Sequence, residues 1–167
     1  MIYDIITEPC DAQYRALMDY AMAHSDAVML VFSVKKGSKL QNDTKRTVRN
    51  QLASWRIKSR HDAQWPVTKS YDTSCLFTID LYKPSQEVKD YVLSKNSLYA
   101  WGENGDPCDI AFFRENECWM ATCSHEKSGW LVLEEEPSAS FMQCLKPVPH
   151  PNDVEFQKID PRNYMIN

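Results

Sequence analysis

The clearest hydrophobic pattern in the chain is a set of three strand-like segments within residues 110–133, separated by two polar turns. The first turn falls at residues 114–117 and the second at residues 125–129. Short polar turns between apolar runs are typical of antiparallel hairpins. The pattern therefore predicts an antiparallel β-meander.

Apolar residues at helical spacing predict three amphipathic helices, over residues 11–23, 44–55 and 85–94. A continuous apolar run at residues 27–34 predicts a strand covered on both faces and central in its sheet. Over residues 74–82 every second residue is apolar and would lie on the same face, which predicts a half-buried strand. Residues 3–6 suit a short edge strand.

This order of elements indicates an α+β fold, with a mixed sheet, three helices and a C-terminal antiparallel β-meander followed by a Pro-rich arm. Five prolines interrupt the segment after residue 136, namely Pro137, Pro147, Pro149, Pro151 and Pro161. We predict a single α+β domain over residues 1–136. Residues 137–167 are expected to form an extended C-terminal arm packed on that domain.

The length of 167 residues and the 43% of hydrophobic residues allow a sizeable core without disulfides. The six cysteines are therefore expected to be free thiols of a cytoplasmic protein. The N-terminus lacks a basic start followed by an apolar run, and no window approaches the roughly eighteen apolar residues of a membrane span. We expect neither export nor membrane insertion.

Charge is unevenly distributed along the chain, although the net charge is −4. Residues 35–60 contain nine basic residues and one acid, Asp43. Such a stretch can bind an anionic partner, or it can face acidic groups of the same molecule. A nucleic-acid surface would use Lys45, Arg46 and Arg49. The net negative charge of the whole chain instead favours the interpretation that these side chains form a solvated face.

Two segments combine titratable side chains with a tryptophan. The candidate binding residues are Arg60, His61 and Trp65 in the first segment and His125, Glu126 and Trp130 in the second. A histidine beside a carboxylate can act as a general base, and an arginine can bind a carboxylate or phosphate. Alternatively, His125 and Glu126 only complete a turn and Trp65 only fills the edge of the core. The two segments would form one pocket if they lie at the same end of the sheet.

Other chemistry has little support in the sequence. The chain contains no CxxC or HExxH spacing, and Cys118 and Cys123 are expected on opposite faces of a strand, so we expect no metal site and no cofactor. A nucleophile motif is also missing, because Ser124 lacks a GxSxG context and no cysteine has an activating partner nearby in the sequence.

Several phrases of the sequence resemble a family of small soluble proteins of Gram-positive spore-forming and gut bacteria, whose members are often labelled stage III sporulation protein AH. The matching phrases are MIYDII, YRALMDYAMAHSDAVMLVF, IKSRHDAQWPVT, LYAW and DIAFFRENECWMATCSHE. The resemblance covers roughly residues 1–130. It implies a shared fold and no particular activity.

From these patterns we expect a non-enzymatic cytoplasmic binding or accessory protein that engages another protein in a sporulation, stress or immunity type of role. Five Trp and eight Tyr favour this class, because aromatic residues anchor interfaces. The alternative is a small hydrolase or transferase that uses His125 with Glu126 or His61.

Overall fold

A computed structural model of the chain describes residues 1–33, 38–70, 76–102, 104–134 and 140–148. The helices are α1 (Asp11–Ala23), α2 (Lys39–Gln51) and α3 (Gln86–Leu93), with short 3-10 helices at Ala53–Trp55, Ser124–Glu126 and Ser140–Cys144. The strands are β1 (Ile2–Ile5), β2 (Ala27–Phe32), β3 (Arg56–Asp62), β4 (Gln64–Trp65), β5 (Thr68–Lys69), β6 (Phe77–Tyr82), β7 (Asp109–Arg114), β8 (Glu117–Cys123), β9 (Ser128–Val132) and β10 (Leu145–Pro147).

Eight strands form one sheet in the order β10-β1-β9-β8-β7-β2-β6-β3, and β4 and β5 form a separate hairpin. The α+β class and the antiparallel meander β7-β8-β9 are confirmed. The sheet differs from the mixed sheet that was expected, because every pairing between described strands is antiparallel. Strand β2 is central as predicted, since β6 and β7 flank it and both run opposite to it.

The helices follow the apolar stripes of the sequence. In α1 the buried residues recur at the helical spacing from which the helix was predicted, and they are Tyr14, Leu17, Met18, Ala21 and Met22. Helix α2 begins earlier than predicted, because Ser38 accepts a hydrogen bond from the Gln41 backbone while the Gln41 side chain accepts one from the Ser38 backbone. This capping box satisfies backbone donors that would otherwise lack partners at the start of the helix.

Strand β3 and the burial of β6 depart from the sequence prediction. No helix or strand was assigned to residues 56–62 from the sequence, yet they form a strand that pairs with β6 along its length. Strand β6 was expected to be half-buried, yet five of its six residues are buried because it lies between two strands and is covered on both faces. The predicted strand ends at residues 34 and 74–75 lie outside the described residues.

Apolar side chains pack on both faces of the sheet. On one face, which we call the helix face, side chains from α1, α2 and α3 form the larger core with residues such as Val28, Leu30 and Phe112. The opposite face, which we call the second face, carries a smaller cluster that includes Phe113 and Trp65. The hairpin β4–β5 supplies Trp65, so it packs against this second face.

Of the predicted C-terminal arm, residues 140–148 are described. They contribute β10, which pairs with β1, so β1 is not the edge strand that was expected. They also contribute Phe141, which is fully buried in the core of the helix face. These nine residues are therefore part of the sheet and core, while the division of the remaining chain at residue 136 stays a prediction.

Candidate functional site

The bend between β8 and β9 brings three reactive side chains together. Residues Ser124–Glu126 form a 3-10 turn that ends at Lys127, which has a left-handed backbone with φ of 50°. Because the chain curls here, the Sγ atom of Cys123 lies 3.5 Å from Nδ1 of His125. The Nε2 atom of His125 lies 3.7 Å from Oε1 of Glu126. A thiol, an imidazole and a carboxylate thus form one local group.

A bulge in β8 decides which face the cysteines occupy. The pairing of β7 with β8 skips Trp119, which is an additional residue in the bulged strand. The bulge shifts the alternation, so Cys118 and Ala121 both belong to the cluster on the second face, and Cys123 lines a cleft on that same side. The expectation that Cys118 and Cys123 face opposite sides is therefore wrong.

This cleft, with a volume of about 670 Å³, lies between the hairpin β4–β5 and the turn after β8. Its described lining residues are Trp65, Val67, Thr68, Lys69, Ser70, Phe77, Cys123, His125 and Glu126. The rings of Trp65 and Phe77 pack with centroids 4.6 Å apart and supply an apolar wall. A cleft of this size and mixed lining can hold a small ligand or a few side chains of a partner.

One buried carboxylate, Asp109, holds both sides of the cleft. The indole N–H of Trp65 donates to its Oδ2 at 2.8 Å, and the backbone N–H of Ser124 donates to its Oδ1 at 2.7 Å. Asp109 begins β7 and is only 2% exposed. The hairpin and the reactive turn are therefore fixed to the same point of the sheet, which limits how far the cleft can deform.

Burial controls the ionisation of the acidic groups in and beneath the cleft. It raises the pKa of Asp109 to about 6, although the hydrogen bonds from Ser124 and Trp65 act in the opposite direction. Burial also raises the pKa of Cys123 to about 11, and the nearby Asp109 carboxylate adds to that increase. The Cys123 thiol is therefore almost entirely protonated at neutral pH, unlike an activated nucleophile.

The structure brings only some of the predicted site residues together. Trp65, His125 and Glu126 line the cleft, and Trp65 also fills the core edge with 4% of its surface exposed. Arg60, His61 and Trp130 are not among the described lining residues. A shared site for Arg60 and His125 stays a prediction.

The strand pairings explain these positions. Arg60 lies opposite Ile79, on the second face, with its guanidinium 3.7 Å from Asp62. His61 lies opposite Thr78, and its Nδ1 is 3.4 Å from the Thr78 hydroxyl. Adjacent residues of a strand face opposite sides, so His61 is directed away from the face that carries the cleft.

Trp130 lies on β9 opposite Ala121 and Asp4, and it is not among the described residues that line the cleft. Sequence reasoning also missed part of the site. Cys123, Asp109 and Phe77 gave no motif, because their proximity depends on strand pairing, a bulge and the hairpin. The one local signal was the spacing of Cys123 and His125 by two residues.

The three cations considered for a nucleic-acid surface each contact a group of the same molecule. Lys45 donates to the backbone carbonyl of Ser33 at 2.7 Å, and Arg46 pairs with Asp43 at 2.9 Å. Arg49 binds the buried carboxylate of Asp80. These contacts weaken the case for a nucleic-acid surface formed by Lys45, Arg46 and Arg49, because a phosphate would have to compete with the existing partners.

Asp80 of β6 is the buried carboxylate, and its exposed fraction is 0%. Arg49 donates to both its oxygens at 2.6 and 3.0 Å, and the hydroxyls of Ser59 and Tyr82 donate at 2.5 and 2.9 Å. Burial by itself would raise the pKa of Asp80, but the hydrogen bonds from Arg49, Ser59 and Tyr82 hold it below its ordinary value. The group joins α2 to the strands β3 and β6.

None of the helices in the described part of the chain combines the length and the apolar character needed to cross a membrane. The five described cysteines are free, and Cys75 lies outside the described residues. Comparison of the chain with protein-family models, with characterised proteins and with solved structures finds no match.

Proposed function

We propose that the protein is a non-enzymatic binding or accessory protein that engages another protein through the cleft beside Trp65 and His125. The observation that carries the proposal is the pair of hydrogen bonds from Trp65 and Ser124 to the buried Asp109, which fix both walls. A site that is already rigid loses less conformational entropy on binding. The proposal includes a cytoplasmic location, a sporulation, stress or immunity type of role, and membership of the family that the sequence resembles.

The lining of the cleft fits an inserted side chain of a partner. Trp65 and Phe77 offer an apolar wall, whereas Lys69, His125 and Glu126 offer one cation, one imidazole and one carboxylate at the rim. Apolar pockets with a polar rim are where a few residues carry most of the energy of an interface. We expect the partner to insert an apolar or aromatic side chain with polar neighbours.

The test has two stages, both in the presence of a chelator. In the first stage, affinity capture from cells identifies proteins that the wild-type chain retains and that two rim variants, Lys69→Glu and His125→Ala, do not. Matched controls are Lys146→Glu on β10 and His24→Ala after α1, since both residues are exposed and lie away from the cleft. Each selected protein is then purified and its affinity measured by calorimetry.

We expect the rim variants to bind a true partner with an affinity lower by about tenfold or more, which corresponds to about 1.4 kcal/mol of binding free energy. The controls should bind like the wild type. The proposal fails if no purified protein binds, or if the rim variants and the controls bind equally well.

A second candidate, a hydrolase or transferase, is favoured by one observation. His125 lies between Cys123 and Glu126, at 3.5 and 3.7 Å, which is the order of nucleophile, base and carboxylate in a catalytic triad. The orientation of His61 toward the helix face leaves His125 as the histidine for this chemistry. The high pKa of Cys123 opposes it.

The rate of alkylation of Cys123 against pH, followed by mass spectrometry of the labelled peptide, separates the two candidates. A binding protein should show a rate that keeps rising above pH 9, because the thiolate forms only near its pKa of about 11. An inflection near neutral pH would favour the enzyme.

A further inference from the structure

We propose that Cys123, His125 and Glu126 bind a divalent transition-metal ion of the zinc class in the wall of the cleft. One ligand atom from each residue, a sulfur, a ring nitrogen and a carboxylate oxygen, lies within 4.8 Å of the other two. The inference goes beyond the proposed function and does not depend on it, because metal binding is measured on the protein alone.

The spacing of the donors matches a tetrahedral site. A zinc ion with a Zn–S bond of about 2.3 Å and a Zn–N bond of about 2.0–2.1 Å holds its sulfur and nitrogen ligands about 3.6 Å apart. The observed distance from Cys123 Sγ to His125 Nδ1 is 3.5 Å. The third donor, a Glu126 carboxylate oxygen, lies within 4.8 Å of the other two ligand atoms, and its side chain is 65% exposed and so free to rotate toward the ion.

The types of donor select the class of metal. A thiolate with an imidazole and a carboxylate suits zinc and similar borderline ions, whereas calcium and magnesium prefer oxygen ligands alone. Three protein ligands leave a fourth position for water or for a ligand group. All three residues line the cleft, so that fourth position opens into it.

An unpartnered hydroxyl beside Cys123 is a second observation in favour of a bound group. Ser128 Oγ is buried and has no hydrogen-bond partner among the described residues. Ser128 lies opposite Cys123 in the pairing of β8 with β9. Buried polar atoms normally have partners, and a water held by a metal ion would supply one here.

The site is also fixed from beneath. The hydrogen bond from the backbone N–H of Ser124 to Asp109 immobilises the residue between Cys123 and His125. A carboxylate that orients the turn reduces the rearrangement that metal binding would require. Sequence reasoning excluded a metal because it considered only linear spacing motifs, which do not describe a turn of this shape.

The test is a titration of the reduced, metal-free full-length chain with Co²⁺, followed by absorption spectroscopy. We expect one Co²⁺ per chain, a sulfur-to-cobalt charge-transfer band in the near ultraviolet, visible bands of a tetrahedral ion, and displacement of the bands by Zn²⁺. Cys123→Ser should abolish the charge-transfer band. His125→Ala should abolish binding without unfolding the chain, because that side chain is 70% exposed.

The matched controls are Cys10→Ser and His24→Ala, because both residues are exposed and lie at the ends of α1, away from the cleft. They should bind Co²⁺ like the wild type. Glu126→Gln should weaken binding by about tenfold or more. The proposal is overturned if the wild type shows no charge-transfer band, if the band survives Cys123→Ser or His125→Ala, or if Glu126→Gln binds as tightly as the wild type.

Discussion

Replacing Arg49 by alanine should destabilise the protein strongly, because it removes the main partner of the buried Asp80. Breaking a buried ion pair by removing one partner costs about 3–5 kcal/mol. Here the Arg49 side chain is 27% exposed, and Ser59 and Tyr82 remain bound to the carboxylate. The Arg56 guanidinium also remains 3.7 Å from it. We therefore expect the free energy of unfolding to fall by about 2–3 kcal/mol, close to the contribution of a hydrogen bond to a charged group.

The assay is urea unfolding at pH 7, followed by tryptophan fluorescence. The matched control is Arg46→Ala on the same helix, where the arginine side chain is 73% exposed and pairs with an exposed Asp43. An exposed pair contributes little, so the control should change the free energy of unfolding by less than about 0.5 kcal/mol. The reasoning is refuted if Arg49→Ala and Arg46→Ala are equally stable.

The dependence on pH provides an independent check. The pKa of Asp80 is lowered in the folded state, so its stabilising contribution is present above the unfolded value of about 3.9 and is lost as the pH falls through the folded pKa. In Arg49→Ala, protonation also removes the charge that has lost its main partner. The difference between the wild type and the variant should therefore shrink below about pH 4, and a constant difference would contradict the role of the charge.

Three further predictions concern other parts of the structure. The pKa of Asp109 in the folded state, about 6, lies above its unfolded value, so its stabilising contribution is present below about pH 4 and is lost as the pH rises through 6. In urea unfolding, Asp109→Asn should therefore gain stability relative to the wild type between pH 4.5 and pH 7.5. A stability difference between the two proteins that does not change with pH would contradict this. Phe141→Ala should cost about 3–5 kcal/mol in the same assay, because the ring is fully buried, whereas a loss below 1 kcal/mol would show that residues 140–148 are dispensable to the core. Adding a reductant should leave the melting temperature unchanged because the described cysteines are free, and a large decrease would reveal a disulfide.

The sequence predicted those elements whose pattern is set by neighbours along the chain. The stripe of α1 and the continuous apolar run of β2 were both predicted correctly, because periodicity of 3.6 or burial on both faces is visible in the residues themselves. The meander was also visible, since its turns are short and polar. The start of α2 was missed although Ser38 and Gln41 have the spacing of a capping box.

The candidate site was only partly predictable for a different physical reason. Trp65, His125 and Glu126 stood out by residue type, and the structure places all three at one cleft. Nothing in the local sequence connects them with Asp109, which lies 44 residues from Trp65 and 15 from Ser124 along the chain. Contacts between distant segments depend on the whole arrangement of strands, which a local pattern does not specify.

The sequence alone therefore determined the α+β class, the helix stripes and the meander, because each depends on hydrophobic periodicity over a short segment. Only the tertiary structure decided that Arg49 neutralises Asp80, that a bulge at Trp119 directs Cys123 into the cleft, and that Asp109 holds both walls. These features arise from strand order and register, where a shift of one residue reverses the face of every later side chain.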